Sequence, residues 1–442
     1  MTPARLFVIL TALFAALATY FIPEMDASGD EPHYLVMAQS LWREHDLDLR
    51  DNYAREDWRE FRDGPTEPHY AAPRKDGRPF PGHAPGLPLL LAPVYALGGR
   101  LACAVLLGAM VAGVGALAYW IALTEGLSMT GSLLAGLMAA GPPLAAFALH
   151  IYTEAPSALA LFAAYALLRF GRGRTAPALA ATLACALPFL HPKMALGSVA
   201  MAFAAFALRA RVSFRVFAGV TLVGLMFYGL FWMSIFGAPT GLGPYGGVPE
   251  DTAFNPAQAL VGLLVDRAYG LLPIAPVFAA LFFAGRGATS SMPEAARTRR
   301  LEMVMILAVL LPALLWRMWW GGQSPPARFI APLTPFLALA AARLWDDASR
   351  WVRVAMTAAV VWSWTLFLFS ALQPGRALFI NKRIRPTRLW NALWPGGPLD
   401  GLLPDMARPE SSDWTVAFVW VVAFAALTIA IRRRRSARVT AR

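Results

Sequence analysis

Asp30 and Glu31 stand together just after the first apolar run, within Ser28-Gly29-Asp30-Glu31-Pro32-His33-Tyr34. A carboxylate held at a membrane surface can take a proton from a reacting hydroxyl. Pro32 suits the first position of a helix, with Glu31 as its cap. Tyr34, Leu35, Ala38, Leu41 and Trp42 then make an apolar face opposite Gln39, Ser40, Arg43 and Glu44. That pattern predicts an amphipathic helix lying in the interface. A plainer reading is that the acids only stabilise the helix start, by about 0.3–1 kcal/mol. The rest of the loop weighs against it. His83-Ala84-Pro85-Gly86-Leu87 opens a short apolar stretch, 88–97, which is too short to span comfortably and reads as a second interfacial or re-entrant helix. Two such helices in one loop point to a built cavity.

Cations gather at the ends of other apolar runs: His191, Lys193, Arg267, Arg317 and Arg328. Charges in such places are commonly anchors that snorkel to the interface. Arg317 fits that reading least well, because it sits within Leu314-Leu315-Trp316-Arg317-Met318-Trp319-Trp320, where a charge is expensive and usually has a partner. A phosphate oxygen would serve, and so would Glu154. Glu154 itself precedes Pro156 and reads first as the cap of its own span. Asp266 beside Arg267 reads as a local pair. His69 and His83, with Asp30, offer donors for a divalent cation such as Mg or Mn, although their spacing matches no ligand pattern. These residues do not fix a cofactor.

The elements that position these groups are membrane spans. Of 442 residues, 57% are hydrophobic and 15% charged, where a soluble domain has about 45–50% and about 25%. Spans of about 20 residues or somewhat fewer are expected at 5–22, 101–123, 130–149, 154–170, 175–190, 193–208, 215–236, 268–285, 301–320, 329–345, 352–371 and 414–431. The fold class is therefore an all-α polytopic membrane protein of about twelve helices (11–13) in a single domain, 1–442. The run 5–22 is somewhat long for a signal sequence and is read as retained. Arg5, Arg169, Arg172, Arg174, Arg209, Arg211, Arg215, Arg297, Arg299, Arg300, Arg350, Arg353 and the tail Arg432-Arg433-Arg434-Arg435 fall on one side, which the charge rule makes cytoplasmic. The long loops 23–100, 237–267 and 372–413 then face the periplasm or exterior. This distribution explains the net charge of +12 without a nucleic-acid partner. Cys103 and Cys185 both lie in apolar runs and can build neither a disulfide framework nor a thiolate metal site. No internal repeat of the transporter kind is evident.

Three further stretches complete a pattern: Ile151-Tyr152-Thr153-Glu154-Ala155-Pro156, Asp266-Arg267-Ala268-Tyr269-Gly270-Leu271-Leu272-Pro273, and Trp319-Trp320-Gly321-Gly322-Gln323-Ser324-Pro325-Pro326-Ala327-Arg328-Phe329. An acidic pair after the first span, a His-containing turn opening a juxtamembrane helix, and these stretches in this order resemble the C-type (GT-C) glycosyltransferase superfamily. Within it the chain resembles the protein O-mannosyltransferase and lipid A aminoarabinose transferase branch. The resemblance runs from residue 1 to about 335, and the last hundred residues add little to it. It implies a polyprenyl-phosphate sugar donor, a lipid, glycan or protein acceptor, surrounding membrane lipids, and a site on the outer face of a bacterial inner membrane. It implies Asp30 as catalytic base, with Glu31 in support. One base suffices, because a phosphate leaves as an anion and needs cations rather than a general acid, unlike the two-carboxylate glycosidases. The expected substrate-binding set is His33, Tyr34, His83, Glu154, His191, Lys193, Asp266, Arg267, Tyr269, Arg317, Gln323 and Arg328. The rival readings are a transporter or flippase of an anionic or lipid-linked substrate, and a non-catalytic assembly subunit.

The charge pattern makes a direct expectation. A reporter fused after Arg442 reports from the cytoplasm, and one inserted in 23–100 reports from the exterior. An exterior C-terminal signal would invert the face of every site residue named above.

Overall fold

A computed structural model describes residues 1–71, 73–209, 212–239, 255–283, 293–382 and 387–440, whose regular elements are helices, with two isolated β-bridges, Tyr70 to Pro81 and Ser324 to Asn381. Arg211, much of the expected loop 237–267, the end of the expected span 268–285 and part of the loop 372–413 lie outside the described residues.

In chain order the α-helices are α1 (Pro3–Phe21), α2 (Glu31–Arg43), α3 (Arg50–Ala54), α4 (Gly86–Thr124), α5 (Met129–Ala140), α6 (Glu154–Phe170), α7 (Thr175–Leu190), α8 (Ala195–Ala207), α9 (Phe214–Phe236) and α10 (Pro256–Val265). They continue as α11 (Leu271–Ile274), α12 (Ala280–Phe283), α13 (Pro293–Leu315), α14 (Thr334–Asp346), α15 (Arg350–Ala371), α16 (Arg388–Leu393), α17 (Leu399–Leu402) and α18 (Ser411–Thr440).

Five helices among the described residues are long and apolar enough to cross a membrane: α1, α4, α9, α15 and the 411–429 part of α18. This corrects the expectation of about twelve comparable spans, and the reasons are local. The run 130–149 stops as α5 at Ala140, and after Pro142-Pro143 it continues only as a 3₁₀ turn, Leu144–Ala148. The run 268–285 is cut by Pro273 and Pro276 into α11, a 3₁₀ turn (Pro276–Ala279) and α12. The run 329–345 opens as 3₁₀ backbone, Arg328–Leu333, before α14 begins. Proline removes a backbone donor and crowds the preceding turn, and such irregular backbone is tolerated at membrane depth where protein surrounds it. Residues 144–149 and 329–333 are indeed buried.

The short helix expected after the His83 turn forms the first part of α4. Gly98 and Gly99 leave helical geometry, with Gly99 at φ +58°, a left-handed value that glycine adopts without strain. The bend separates an interfacial segment from the span that follows. Helix α2 departs from its expected amphipathic placement. Gln39 and Ser40, assigned to the solvent face, are fully buried, while Trp42 from the apolar face is about half exposed at 49%. The segment after α3 and the first part of α4 cover it: Gln39 donates to the Asp57 carbonyl at 3.2 Å and to the Tyr95 hydroxyl at 2.9 Å.

Small residues let the spans close. A Cβ on Gly115 of α4 would stand 2.7 Å from Ala140 Cβ and 2.9 Å from the Gly136 carbonyl of α5, a close backbone approach of the kind membrane helices use. At the ends of α4, α6, α13 and α14 a charge network replaces apolar packing. Arg343 donates to Glu125 at 2.7 Å and to Glu302 at 2.6 Å, Arg169 bonds Glu125, and the Tyr165 hydroxyl reaches Glu302 at 3.0 Å. Glu154, at the other end of α6, is roughly 24 Å away along the helix. The bundle therefore carries charge in two layers, one at each end.

Arg343→Leu leaves Glu125 and Glu302 with less counter-charge in a largely buried setting, a loss of about 3–5 kcal/mol where one partner of such a pair is removed. The thermal midpoint of the purified protein in detergent is expected to fall clearly. An unchanged midpoint would mean that this network does not hold the bundle end.

Candidate active site

The loop leading into α2 passes against two other segments. Gly29 sits at φ +64°, and a Cβ there would lie 2.1 Å from the Gln323 carbonyl oxygen and 2.2 Å from the Tyr152 hydroxyl. Only glycine fits such a turn and such an approach. The Tyr152 hydroxyl accepts from the Asp30 backbone N–H at 3.3 Å and is in reach of the Gln323 carbonyl at 2.8 Å and the Ser28 carbonyl at 3.1 Å as a donor. One phenol thus pins the first loop to the 321–328 segment.

Arg328 completes the join. Its Nη2 donates to Asp30 Oδ2 at 2.5 Å, Nε to Glu154 Oε1 at 3.3 Å and Nη1 to the Gly321 carbonyl at 2.8 Å. The guanidinium also lies over the Tyr152 ring, 4.5 Å from its centroid. Lys193, in the 3₁₀ turn between α7 and α8, bonds the same Glu154 oxygen at 2.7 Å and lies 3.9 Å from the centroid of the Phe329 ring. His191 packs its ring near Phe329 at 6.0 Å. Asp30 keeps 26% of its side chain exposed, whereas Arg328 keeps 3%. Burial pushes the Asp30 carboxyl up, but the Arg328 charge and hydrogen bond, with His83 and His33 beside it, outweigh burial and hold it well below the usual carboxylate range.

Asp30, Glu154, Lys193 and Arg328, expected from the sequence, therefore meet in one charged cluster, with Tyr152 and Gln323 as its backing. Gln323 contributes its backbone carbonyl, and its side chain is exposed. Tyr34 packs its ring 4.8 Å from that of His83.

Glu31 does not share the Asp30 contacts. Fully buried, it accepts from Arg100 Nε at 2.7 Å, with His150 Nδ1 at 3.9 Å. Arg100 also bonds the Ile22 carbonyl at 3.3 Å and the Met25 carbonyl. The pair ties α2 to the bend of α4 and to the end of α1, so Glu31 positions the loop rather than joining Asp30. The sequence reading missed Arg100 and His150. Arg100 had a signal, since it is the one charged residue of the apolar run 86–124, and a charge in such a run marks a function or a partner.

Asp266 and Arg267 are not a self-contained pair. Asp266 accepts backbone N–H bonds from Ala268 and Tyr269 at 2.8 Å each, Met406 at 2.6 Å and Ala407 at 3.2 Å. Arg267 bonds Asp413 at 2.8 Å, and its carbonyl accepts from Trp390 Nε1 at 2.7 Å. Both fasten the last hundred residues to the 266–270 turn, and Ala327 N–H bonds the Tyr269 carbonyl at 2.9 Å, just before Arg328. The C-terminal region, which the motifs left aside, therefore braces the site. Arg317 sits part-exposed in the turn after α13, while the cations on Asp30 and Glu154 are Arg328 and Lys193.

A group able to hold a metal ion is present beside Asp30. His33, His69 and His83 bring one ring nitrogen each within 4.8 Å of one another, so His33 stands where Asp30 had been expected to join His69 and His83. Burial, with His69 close by, lowers His33 to about 4, only partly offset by Asp30. Burial likewise lowers His83 to about 3. On the Glu31 side of the loop, a polar cavity of about 680 Å³ is lined by Arg59, Arg62, Arg100, Lys382 and Arg388 among other residues. The buried Arg100 has no hydrogen-bond partner on Nη2.

No family model matches the chain, and no curated protein matches it. Solved structures do. The crystal structure of ArnT from Cupriavidus metallidurans in the apo state matches at a TM-score of 0.52 and 15% identity, over 97% of this chain and 76% of that one. The same enzyme bound to undecaprenyl phosphate matches at 0.54 and 13%, with the same coverage. The apo oligosaccharyltransferase of Archaeoglobus fulgidus matches at 0.42 and 11%, over 88% of this chain and 59% of that one. The ArnT likeness lies in the fold: the regular elements of the described residues are helices, and several of these are long and apolar enough to cross a membrane.

Proposed function

We propose that this chain is an inverting glycosyltransferase that moves a sugar from a polyprenyl-phosphate donor to an acceptor at the outer face of the cytoplasmic membrane. In this reading both termini lie inside, and shorter and broken helices pack among the long spans. The observation that carries the reading is the salt bridge of Asp30 with Arg328, joined through Glu154 to Lys193. It puts the Asp30 carboxylate on Arg328, which shares Glu154 with Lys193, at one end of the bundle. The undecaprenyl phosphate bound to ArnT in one of the similar structures supports a donor of that class.

The acceptor hydroxyl attacks the anomeric carbon and gives its proton to Asp30, while the bond from that carbon to the phosphate oxygen breaks and its electron pair leaves on the phosphate. Attack opposite the leaving group inverts the centre. Arg328 and Lys193 stabilise the departing charge, each worth several kcal/mol in a water-poor site. Glu154 holds both cations in place.

The Asp30–Arg328 contact has a further consequence. A carboxylate held at low pKa is a weak base. A donor phosphate that competes for the Arg328 guanidinium weakens that hold and makes Asp30 more basic as the substrate arrives. A transporter would carry its charges near the midplane of several spans, whereas the charges here lie in layers at the two ends.

Asp30→Asn is expected to lower turnover by about 10²–10⁴ with little loss of donor affinity. Folded Lys193→Ala and Arg328→Gln are expected to lose donor affinity as well as rate, with fold checked separately from yield. Near-normal transfer from polyprenyl-phosphate sugars by Asp30→Asn would remove the base, and with it the enzyme reading.

A pH dependence follows from the depressed Asp30 carboxyl. Its stabilisation is fully present above the unfolded value of about 3.9 and is lost as pH falls from there toward the folded value. The destabilisation caused by Asp30→Asn should therefore be constant from pH 8 to 5 and shrink only below about pH 4. Thermal unfolding of both proteins across that range measures it, and a difference that vanishes between pH 7 and 5 would contradict the assignment.

A further inference from the structure

We propose that His33, His69 and His83 form a binding site for a transition-metal ion of the zinc class beside Asp30. The ion's part in catalysis rests on the transferase reading above, whereas the site itself rests on geometry.

The sequence holds only six histidines, and three of them meet here from separate stretches. His33 stands in the first turn of α2, His69 in the extended segment before Tyr70, and His83 in the turn before α4. The stretches carrying His69 and His83 are held together by backbone. Tyr70 bridges Pro81, and the Gly82 N–H donates to the His69 carbonyl at 2.8 Å. A Cβ on Gly82 would stand 3.1 Å from His69 Cδ2, so the absence of a side chain there leaves room for the ring.

His69 Nδ1 and His83 Nε2 lie 3.0 Å apart, and the three ligand nitrogens span at most 4.8 Å. A tetrahedral ion with metal–nitrogen bonds of about 2.0–2.1 Å sets ligand nitrogens about 3.4 Å apart. The trio needs a contraction of only about an ångström or so at its widest pair. His33 Nδ1 lies 2.7 Å from the Tyr53 hydroxyl, and ligation through Nε2 keeps that contact. A ligating histidine usually has such an outer partner on its other nitrogen. His83 is buried and His69 is exposed, so one wall is fixed and the other open for entry.

Three nitrogen donors favour zinc, cobalt, nickel or copper over the oxygen-seeking Mg and Mn. Asp30, electrostatically coupled to both His33 and His83, balances the added positive charge against Arg62 and Arg328. Three histidines leave a fourth position for an oxygen ligand, the arrangement of catalytic rather than structural zinc. An acceptor hydroxyl bound there becomes more acidic. Its proton passes to Asp30, its oxygen forms the bond to the anomeric carbon, and the phosphate leaves with the electron pair of the broken bond. A weakly basic Asp30 is then sufficient.

The test uses the full chain in detergent, stripped with chelator and titrated with Co²⁺ and Zn²⁺. One ion per chain is expected by elemental analysis, with the visible d–d bands of a nitrogen-ligated, low-coordinate Co²⁺ site. His69→Ala and His83→Ala should each bind at least about a hundredfold more weakly, and Tyr53→Phe about 10–100-fold more weakly. His45→Asn, outside the trio, should bind normally. Asp30→Asn should keep the cobalt spectrum while losing transfer, which separates the two readings. Wild-type protein that takes up neither ion at micromolar concentration, or binding that survives in both His69→Ala and His83→Ala, overturns the site. Ion binding with transfer unaffected by chelation overturns the catalytic part.

Discussion

A guanidinium removed from water must be paired on several sides, and Arg328 meets that demand by drawing two distant segments and its own preceding turn to itself. Its acceptors come from the first loop (Asp30), the start of α6 (Glu154) and the turn after α13 (the Gly321 carbonyl). Taking such a charge out of water costs several kcal/mol unless the geometry is met. The local backbone conforms to it. Ala327 takes a left-handed φ of +53°, and Gly321 takes +82° with no room for a Cβ, which would lie 2.9 Å from Arg328 Cδ. Asp30 is ionised and oriented because Arg328 is there. Lys193 is held because Glu154 can serve two cations through one oxygen.

The architecture around it protects that contact. Glu31 and Arg100 lock α2 to the bend of α4 from behind, and Tyr152 pins the loop from the side. Asp266 and Arg267 hold the 266–270 turn to residues 404–413, and that turn in turn supports Ala327. The C-terminal region is thus part of the site's foundation although it supplies no group to the charged cluster described. At the other end of the bundle, Arg343 with Glu125 and Glu302 makes a second charged layer. Between the layers the core is apolar and closed by small residues, which suits chemistry at one surface better than passage through the middle.

Much of this was legible in the chain itself. The apolar runs, the arginine distribution, the acidic pair, the scarce lysine and the histidines all stood out, because composition and periodicity are local properties that water and lipid act on directly. The site residues Asp30, Glu154, Lys193 and Arg328 were all named from such signals, and the break between a short interfacial helix and a span was readable at 97–101. The helix lengths were less so. Hydropathy sees apolar side chains and not the backbone donors that Pro142, Pro143, Pro273 and Pro276 remove, so broken segments looked like spans.

Which charge meets which was a different matter, decided only by the tertiary structure. Asp30 and Arg328 lie 298 residues apart in the chain, and Glu31 and Arg100 lie 69 apart. Adjacent residues of the chain met different fates: Asp30 took Arg328 while Glu31 took Arg100, and Asp266 turned to backbone donors while Arg267 turned to Asp413. No local pattern distinguishes those members, because a helix start sends neighbouring side chains in different directions. Burial of Gln39 and Ser40 likewise came from a covering segment whose position periodicity does not encode. The sequence by itself determined a membrane helical protein with charges at the ends of its apolar runs. The packing of those runs chose the partners, since a buried charge is satisfied by whatever the fold brings within hydrogen-bond reach.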